Sequence, residues 1–265
     1  MHNQQKLRFS LTQLLVSAGI SLAFLPLVSW LYSPEFSAIK PGSFSASLSL
    51  GISNSAGIIG TFIGVLVTAI LYTLNEQSLS DKLKVFTKAV LGLSAVIILF
   101  AALNEKLTKP LLKAERPSHQ YMLKAFESQP LIDSLYQLTK QERVAWFEAQ
   151  VQLHKEKLMD IDPKILAHWV EEGGYSFPSG HTFNAFLLAM IFAFGIAHNN
   201  KKPEWRAIFP APFVWATAVG ISRISLGVHT LYDVVAGAAL GIAFGAGLLW
   251  LNLTRNLITH KKFSA

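Results

Sequence analysis

The stretch "SFPSGHTFNAFLLAMIFAFGIA", residues 176–197, puts a short polar motif directly before an apolar run. From Phe183 to Ala197 the run carries no charged residue, and runs of about 18–20 mostly apolar residues are typical of membrane-spanning helices. A membrane span does not need a histidine, so the motif before the run must serve another purpose. We expect this junction to handle a charged group at the membrane surface.

Working outward, charge-free blocks recur along the 265 residues, at 9–34, 41–75 and 234–254. Apolar residues make up 51% of the chain and charged residues only 15%, which is typical of a membrane protein. We therefore predict one all-α, polytopic membrane domain over residues 1–265. Its six predicted transmembrane helices lie at about 11–31, 54–75, 85–104, 182–199, 207–226 and 233–253. The first run is long for a signal peptide and lacks a clear small-residue cleavage site.

A polar stretch at about 118–172 separates the third predicted span from the fourth. Its pattern predicts a small helical insert, with Thr139 and Asp162 as N-caps and Pro163 in a first helical turn. Three predicted spans lie on either side of this insert, so with a cytoplasmic N-terminus its position is extracytoplasmic. It would form a lid, lie in the headgroup layer, or be a packed cap without a role in chemistry.

The net charge of +7 does not indicate nucleic-acid binding, because the basic residues lie at alternate ends of the spans. These clusters are Lys6 and Arg8; Lys82, Lys84 and Lys88; Lys201, Lys202 and Arg206; and Arg255, Lys261 and Lys262. The positive-inside rule makes those ends, and both termini, cytoplasmic. The chain has no cysteine, which excludes disulfides, thiolate catalysis and cysteine-ligated metals.

The opposite ends of the spans carry the reactive side chains. The candidates are Lys109 and Arg116 after the third span, Ser179, Gly180 and His181 before the fourth, Ser222 and Arg223 at the end of the fifth, and His229 and Asp233 at the start of the sixth. Since all four groups fall on one predicted membrane face, the folded chain can bring them together.

These residue types favour an anion site over a metal site. Arginine and lysine side chains with a hydroxyl and a helix N-terminus suit a phosphate group. His229 and Asp233 are four residues apart, so on a helix the carboxylate can orient the ring and leave its other nitrogen as a nucleophile or base. His181 can protonate the leaving oxygen. The set predicts phosphoryl transfer through a phosphohistidine.

Each residue alone has an ordinary explanation. An arginine at the end of a span can extend to the interface, as can Lys113. His181 can cap a helix, and Asp233 can interact with a helix dipole. His168 is interpreted as structural, although it lies close to the motif in sequence.

Three motifs taken together resemble the type 2 phosphatidic acid phosphatase family. They read Lys109 with Arg116 and Pro117; Pro178 to His181; and Ser222 and Arg223 with His229 and Asp233. The resemblance implies a metal-independent lipid phosphatase without a cofactor. It assigns His229 as nucleophile, Asp233 as its partner and His181 as general acid. It also assigns phosphate binding to Lys109, Arg116, Ser179, Gly180 and Arg223.

The longer stretch "HWVEEGGYSFPSGHT", residues 168–182, is similar to bacterial phosphatidylglycerophosphate phosphatases of that family. This implies a multi-pass protein of the bacterial inner membrane with a periplasmic site. Its substrates would come from the bilayer as phospholipids or prenyl phosphates. The implied set is phosphatidylglycerophosphate, phosphatidate, lysophosphatidate, diacylglycerol pyrophosphate and undecaprenyl pyrophosphate.

Other functions fit parts of the pattern. A dedicated undecaprenyl pyrophosphate phosphatase would need the same phosphate-binding residues. A transporter or binder of anionic lipid would use the cations but would not need the pairing of His229 with Asp233, and the sequence has no obvious repeats or broken helices typical of transporters. Soluble haloperoxidases can share the site pattern, but the membrane spans argue against them.

Overall fold

A computed structural model of the protein describes residues 2–32, 35–127, 132–199 and 208–251. Every regular element in these ranges is helical, as the predicted all-α class requires. The helices are α1 (His2–Tyr32), α2 (Phe44–Asn54), α3 (Ile58–Thr73), α4 (Leu79–Leu103), α5 (Lys109–Leu112), α6 (Pro117–Ala125), α7 (Ile132–Gln137), α8 (Lys140–Leu153), α9 (Pro163–Glu171), α10 (Gly180–Asn199), α11 (Ala211–Ser225) and α12 (Leu231–Trp250).

Four helical segments of the described chain are long and apolar enough to cross a membrane. They are Thr12–Leu31, Leu79–Leu112, Gly180–Ala197 and Leu231–Trp250. These correspond to the predicted first, third, fourth and sixth spans. The third is longer than predicted, because a π-helical turn at Asn104–Thr108 carries α4 on into α5.

The other two predicted spans have a different form. The charge-free block 41–75 contains α2 and α3, which are bent by 56° relative to each other and could together make a fifth span. The predicted span at 207–226 corresponds to α11, which has only 15 residues. A helix of that length rises about 22 Å, less than the roughly 30 Å of a bilayer core. The structure therefore supports four or five spans, and a sixth remains a prediction. The basic clusters at 201–206 and 255–262 lie outside the described residues.

Helix α10 lies at the centre of the bundle and contacts α1, α3, α11 and α12. Its contact with α12 is close because α12 carries Gly237, Gly241 and Gly245 on one face. A Cβ added at Gly241 would lie 2.6 Å from the carbonyl oxygen of Phe183, so only glycine allows this approach. The contact extends to the start of α10, where the backbone N–H of Ser179 donates to the carbonyl of Asp233 at 3.0 Å.

Helices α6–α9 form the segment predicted as an insert, and their buried apolar residues form a hydrophobic core that also takes in Ala46, Leu226 and Val228. Thr139 and Asp162 are the N-caps of α8 and α9, and Pro163 begins α9, which confirms those three predictions. Trp169 is fully buried in this core, and its indole N–H donates to the carbonyl of Leu226 at 2.7 Å. The insert therefore supports the loop between α11 and α12.

Candidate active site

A cavity of about 680 Å³ opens where α4 and α5 end and α10 begins. One part of its wall is apolar and comes from Ile58, Phe100 and Ala101. The rest of the wall is polar and is formed largely by the insert and the motif segments. Five of the predicted site residues line the cavity: Lys109, Arg116, Gly180, His181 and His229. The other four, Ser179, Ser222, Arg223 and Asp233, are buried and are not part of its wall.

His229 lies in the loop before α12 and is 2% exposed. Its Nδ1 is 3.4 Å from Oδ2 of Asp233. Thr230 and Asp233 form a capping box at the start of α12, in which the N–H of Thr230 donates to the same carboxylate oxygen at 2.7 Å. The helix cap therefore holds the carboxylate in place beside the imidazole ring.

The neighbours of His229 determine which ring nitrogen carries the proton. Nε2 lies 3.3 Å from Nη1 of Arg116, and a guanidinium can only donate hydrogen bonds. Nε2 is therefore the acceptor, and Nδ1 holds the proton that points to Asp233. Burial lowers the pKa of His229 to about 3 despite the hydrogen bond to Asp233. The ring is neutral at pH 7, with the Nε2 lone pair on the cavity side.

Arg116 is positioned by backbone carbonyls. Its guanidinium donates to Val228 at 2.9 Å, to Gly173 at 2.7 Å and to Gly174 at 3.3 Å. Such bonds leave little freedom to a long side chain that is 2% exposed. They connect the start of α6 to the loop before His229 and to the segment before Ser179, so one side chain holds the separate motif segments together.

Arg223 lies deeper, near the end of α11. Its Nη1 donates to the hydroxyl of Ser53 at 2.7 Å and lies 3.2 Å from Nε2 of His168. Its Nη2 is ion-paired with Glu172, whose other carboxylate oxygen lies 3.2 Å from Nη1 of Arg116. A single carboxylate thus bridges the two predicted phosphate-binding arginines, in the place where a phosphate bound to both would lie.

The start of α10 carries the remaining motif residues. Ser179 caps the helix: its hydroxyl oxygen accepts from the N–H of Thr182 at 3.4 Å and from the Thr182 hydroxyl at 2.9 Å. Gly180 and His181 face the cavity. Lys109 reaches the cavity from α5, and its ammonium group is ion-paired with Glu105 on the preceding turn.

Two residues of this site were not assigned to it from the sequence. Glu172 was not singled out at all, and His168 was interpreted as structural. In the structure His168 lies 3.2 Å from Glu172 and borders Arg223. Burial, followed by the charge of Arg223, lowers the pKa of His168 to about 4, so its ring is neutral. Burial alone would raise the pKa of Glu172, but Arg223 and Arg116 outweigh it and hold that pKa well below its usual value.

Comparison with known proteins gives a consistent result. The model of the PAP2 superfamily matches residues 89–257, a range that contains all the motif residues. Phosphatidylglycerophosphatase B of Escherichia coli is 35% identical over 120 residues, which is 45% of this chain and 44% of that protein. The protein of the same name from Haemophilus influenzae is 29% identical over 177 residues, 66% of this chain and 70% of that protein.

A third relative, lipid A 1-phosphatase of Porphyromonas gingivalis, is 38% identical over 77 residues, 29% of this chain and 16% of that protein. The matched region covers less than half of the length of the Escherichia coli relative.

Proposed function

The chain belongs to the PAP2 superfamily, as its motifs predicted, and on that basis we propose that it is an integral-membrane lipid phosphatase acting through a phosphohistidine on His229. The observation that carries this proposal is the position of His229 between Asp233 at Nδ1 and Arg116 at Nε2, at the wall of the cavity. An imidazole held in one tautomer beside a cation is suited to attack a phosphate that the cation binds.

The reaction proceeds in two steps. In the first, the Nε2 lone pair of His229 attacks phosphorus, the bond from phosphorus to the lipid oxygen breaks, and His181 gives that oxygen a proton. The Nδ1 proton stays with the ring, whose new positive charge is stabilised by Asp233. In the second step, His181 takes a proton from water, and the oxygen of that water attacks the phosphohistidine. The products are inorganic phosphate and the neutral ring.

The cations supply most of the stabilisation. Arg116, Arg223 and Lys109 would bind the phosphate oxygens and spread the charge that develops on them. Backbone N–H groups at the start of α10, near Gly180, would add hydrogen bonds. With these positively charged side chains around the phosphate, the reaction would need no metal or cofactor. Glu172 must leave its place between the arginines before a phosphate can reach both of them.

The substrate is proposed to be phosphatidylglycerophosphate, with phosphatidate, lysophosphatidate, diacylglycerol pyrophosphate and undecaprenyl pyrophosphate also accepted. Relatives named phosphatidylglycerophosphatase B support the first of these, and a relative named lipid A 1-phosphatase supports the wider class. The apolar wall of the cavity suits a substrate whose chains remain in the bilayer. We place the protein in the bacterial inner membrane with its cavity on the periplasmic side and both termini in the cytoplasm.

The test is phosphate release by the purified protein in detergent with EDTA. Phosphatidylglycerophosphate, phosphatidate and undecaprenyl pyrophosphate are supplied in separate assays, and His229→Ala is the control. We expect release that EDTA does not affect and that the substitution reduces by at least about a thousandfold. The ranking of rates distinguishes a broad phosphatase from a dedicated undecaprenyl pyrophosphate phosphatase. If folded protein releases no phosphate from any of the three, the proposal fails in favour of lipid binding or transport.

A further inference from the structure

The cations around the cavity differ in whether a carboxylate accompanies them. Five lysine and arginine side chains of the described residues line the cavity, and four of them are each paired with a carboxylate. These pairs are Lys109 with Glu105, Lys113 with Asp133 at 3.0 Å, Arg116 with Glu172 at 3.2 Å, and Lys140 with Glu171 at 2.9 Å. Each of these four cations therefore has a carboxylate beside it, and Arg116 shares its carboxylate, Glu172, with Arg223.

Arg143, on α8 of the insert, is the fifth. Within the described part of the chain no carboxylate lies within 4.0 Å of its guanidinium. Its Nε has no hydrogen-bond partner there, and its Nη1 makes one long bond of 3.4 Å to the carbonyl of Leu138. The residue is only 5% exposed. A guanidinium buried without an anion is costly, so a ligand with negative charge would be favoured beside it.

The position of Arg143 shows where such an anion would lie. A Cβ added to Gly173 would be 3.8 Å from Nη2 of Arg143. The carbonyl of the same glycine accepts the hydrogen bond from Nη2 of Arg116. The two guanidinium groups therefore flank one residue, and both line the cavity. An anion on Arg143 would be the immediate neighbour of a phosphate on Arg116.

We propose that Arg143 binds the second phosphate of lipids that carry two, while Arg116 holds the phosphate that is removed. This inference rests on the proposed function and adds a specificity determinant to it. In a lipid pyrophosphate the second phosphate is bonded directly to the first. In phosphatidylglycerophosphate it is a diester one glycerol away. Phosphatidate has a single phosphate and leaves Arg143 without a partner.

The experiment compares kcat/KM for diacylglycerol pyrophosphate, phosphatidylglycerophosphate and phosphatidate with the same acyl chains. The variants are Arg143→Gln, Arg143→Lys and Lys157→Gln. Lys157 is a matched control because it is a cation of the insert paired with Glu127 on the surface and away from the cavity wall. It reports any general effect of lost positive charge on binding to anionic micelles.

We expect Arg143→Gln to lower kcat/KM about tenfold or more for at least one of the two-phosphate lipids and less than about twofold for phosphatidate. The lipid that loses more identifies the spacing that the site reads. Arg143→Lys should recover part of the loss, and Lys157→Gln should match the wild type. An equal loss on all three lipids would mean that Arg143 only supports the fold, and would overturn the proposal.

A binding measurement separates this inference from the proposed function. Methylenebisphosphonate resists hydrolysis and carries two linked phosphonate groups. It should raise the Tm of the wild type more than the same concentration of inorganic phosphate does, and this difference should vanish in Arg143→Gln. A difference of this kind without any lipid phosphatase activity would reject the enzyme and retain the two-anion site. Equal effects of both ligands on the wild type would reject the site, whatever the activity.

Discussion

The local sequence indicates no role for Glu172, whereas its ion pairs in the folded protein place it at the centre of the candidate site. Its carboxylate pairs with Arg116 and with Arg223, which come from opposite sides of the insert in the chain. A buried carboxylate with two arginines is an internal substitute for a phosphate. One carboxylate balances only one of the two guanidinium charges, and in the proposed function a phosphate that binds both arginines has to displace it.

Glu172→Gln tests this exchange. The variant keeps the shape but leaves two buried arginines without their anion, so we expect a loss of about 3–5 kcal/mol of unfolding free energy without phosphate. Added inorganic phosphate should then raise the Tm of the variant more than that of the wild type. Thermal unfolding in detergent, with and without phosphate, measures both effects.

Glu171→Gln is the matched control, because Glu171 also lines the cavity but is exposed, and within the described residues its one ion pair is with the exposed Lys140. Its stability should change by less than about 1 kcal/mol. The interpretation of Glu172 is wrong if phosphate stabilises Glu172→Gln no more than it stabilises the wild type.

Three neutral histidines should make the stability of the protein depend on pH. One of them is His119 of α6, which is buried with its Nε2 3.1 Å from the carbonyl of Trp169. Burial lowers the pKa of His119 and of His229 to about 3, and that of His168 to about 4. In the unfolded chain these rings take up protons below about pH 6.5. The unfolded state then binds more protons than the fold, so stability is lost as the pH falls from about 6.5 towards 4. Glu172, whose pKa is lowered, acts in the same direction below about pH 4.5.

We therefore expect the Tm to be level between pH 7 and 8 and to fall steadily below about pH 6.5. His119→Gln should reduce the slope, because His119 is removed from the titration while its neighbours remain. The measurement is a series of unfolding curves between pH 8 and pH 4.5 at constant ionic strength. A Tm that rises as the pH is lowered from 7 to 5 would contradict the assignment of neutral rings.

At the scale of helices, the contact between α10 and α12 sets the distance between the two halves of the site. Residue His181 is on α10 and His229 directly precedes α12. Since Gly237 and Gly241 of α12 meet main-chain atoms at Ser179 and Phe183, this distance is determined largely by main-chain contact.

Gly241→Ala tests the contact. The new Cβ would meet the carbonyl of Phe183 at 2.6 Å, so the helices must move apart. We expect a loss of about 1–3 kcal/mol of unfolding free energy and a lower kcat. Gly247→Ala is the control on the same helix: nothing lies within 4 Å of its added Cβ, so it should be neutral or slightly stabilising. Equal effects of the two substitutions would show that the contact is not as tight as described.

Helix boundaries illustrate what the sequence can and cannot predict. The spans at 182–199 and 233–253 agree with α10 and α12 to within three residues, because an apolar run that starts at a capping motif has a clear beginning. The bend between α2 and α3 was not predicted, because the block 41–75 has no charge to mark an interruption. The polar sequence "SNSAG" at 53–57 was the available signal.

The candidate site also contains residues that the sequence predicts and residues that it does not. Lys109, Arg116, His181, His229 and Asp233 could be named from motifs because their chemistry is local to each segment. Glu172 and Arg143 could not, since both look like ordinary charged residues of polar helices. Glu172 matters because of its ion pairs with Arg116 and Arg223, which are more than twenty residues away along the chain. Arg143 matters because its Nε has no hydrogen-bond partner within the described residues. Local sequence does not indicate which charged residues form ion pairs across the fold.

At the scale of the whole molecule, the proposed orientation can be tested because the natural chain has no cysteine. We expect Lys157→Cys, in the insert, to react with a membrane-impermeant maleimide in intact spheroplasts. Gln77→Cys, in the exposed turn between α3 and α4, should react only after lysis. The wild type provides a background without labelling. Labelling of position 77 but not position 157 in intact spheroplasts would reverse the orientation derived from the basic clusters.

The two-sided wall of the cavity has a consequence for the fate of the products. The apolar lining residues Ile58, Phe100 and Ala101 suit hydrocarbon, whereas much of the remaining lining is charged. In the proposed reaction the lipid product has lost the phosphate held by Arg116 and keeps its chains in the bilayer, while inorganic phosphate is diluted into water. The products enter separate phases and do not meet again in the cavity. For the proposed phosphatase, partitioning of this kind opposes the reverse reaction without any coupled source of energy.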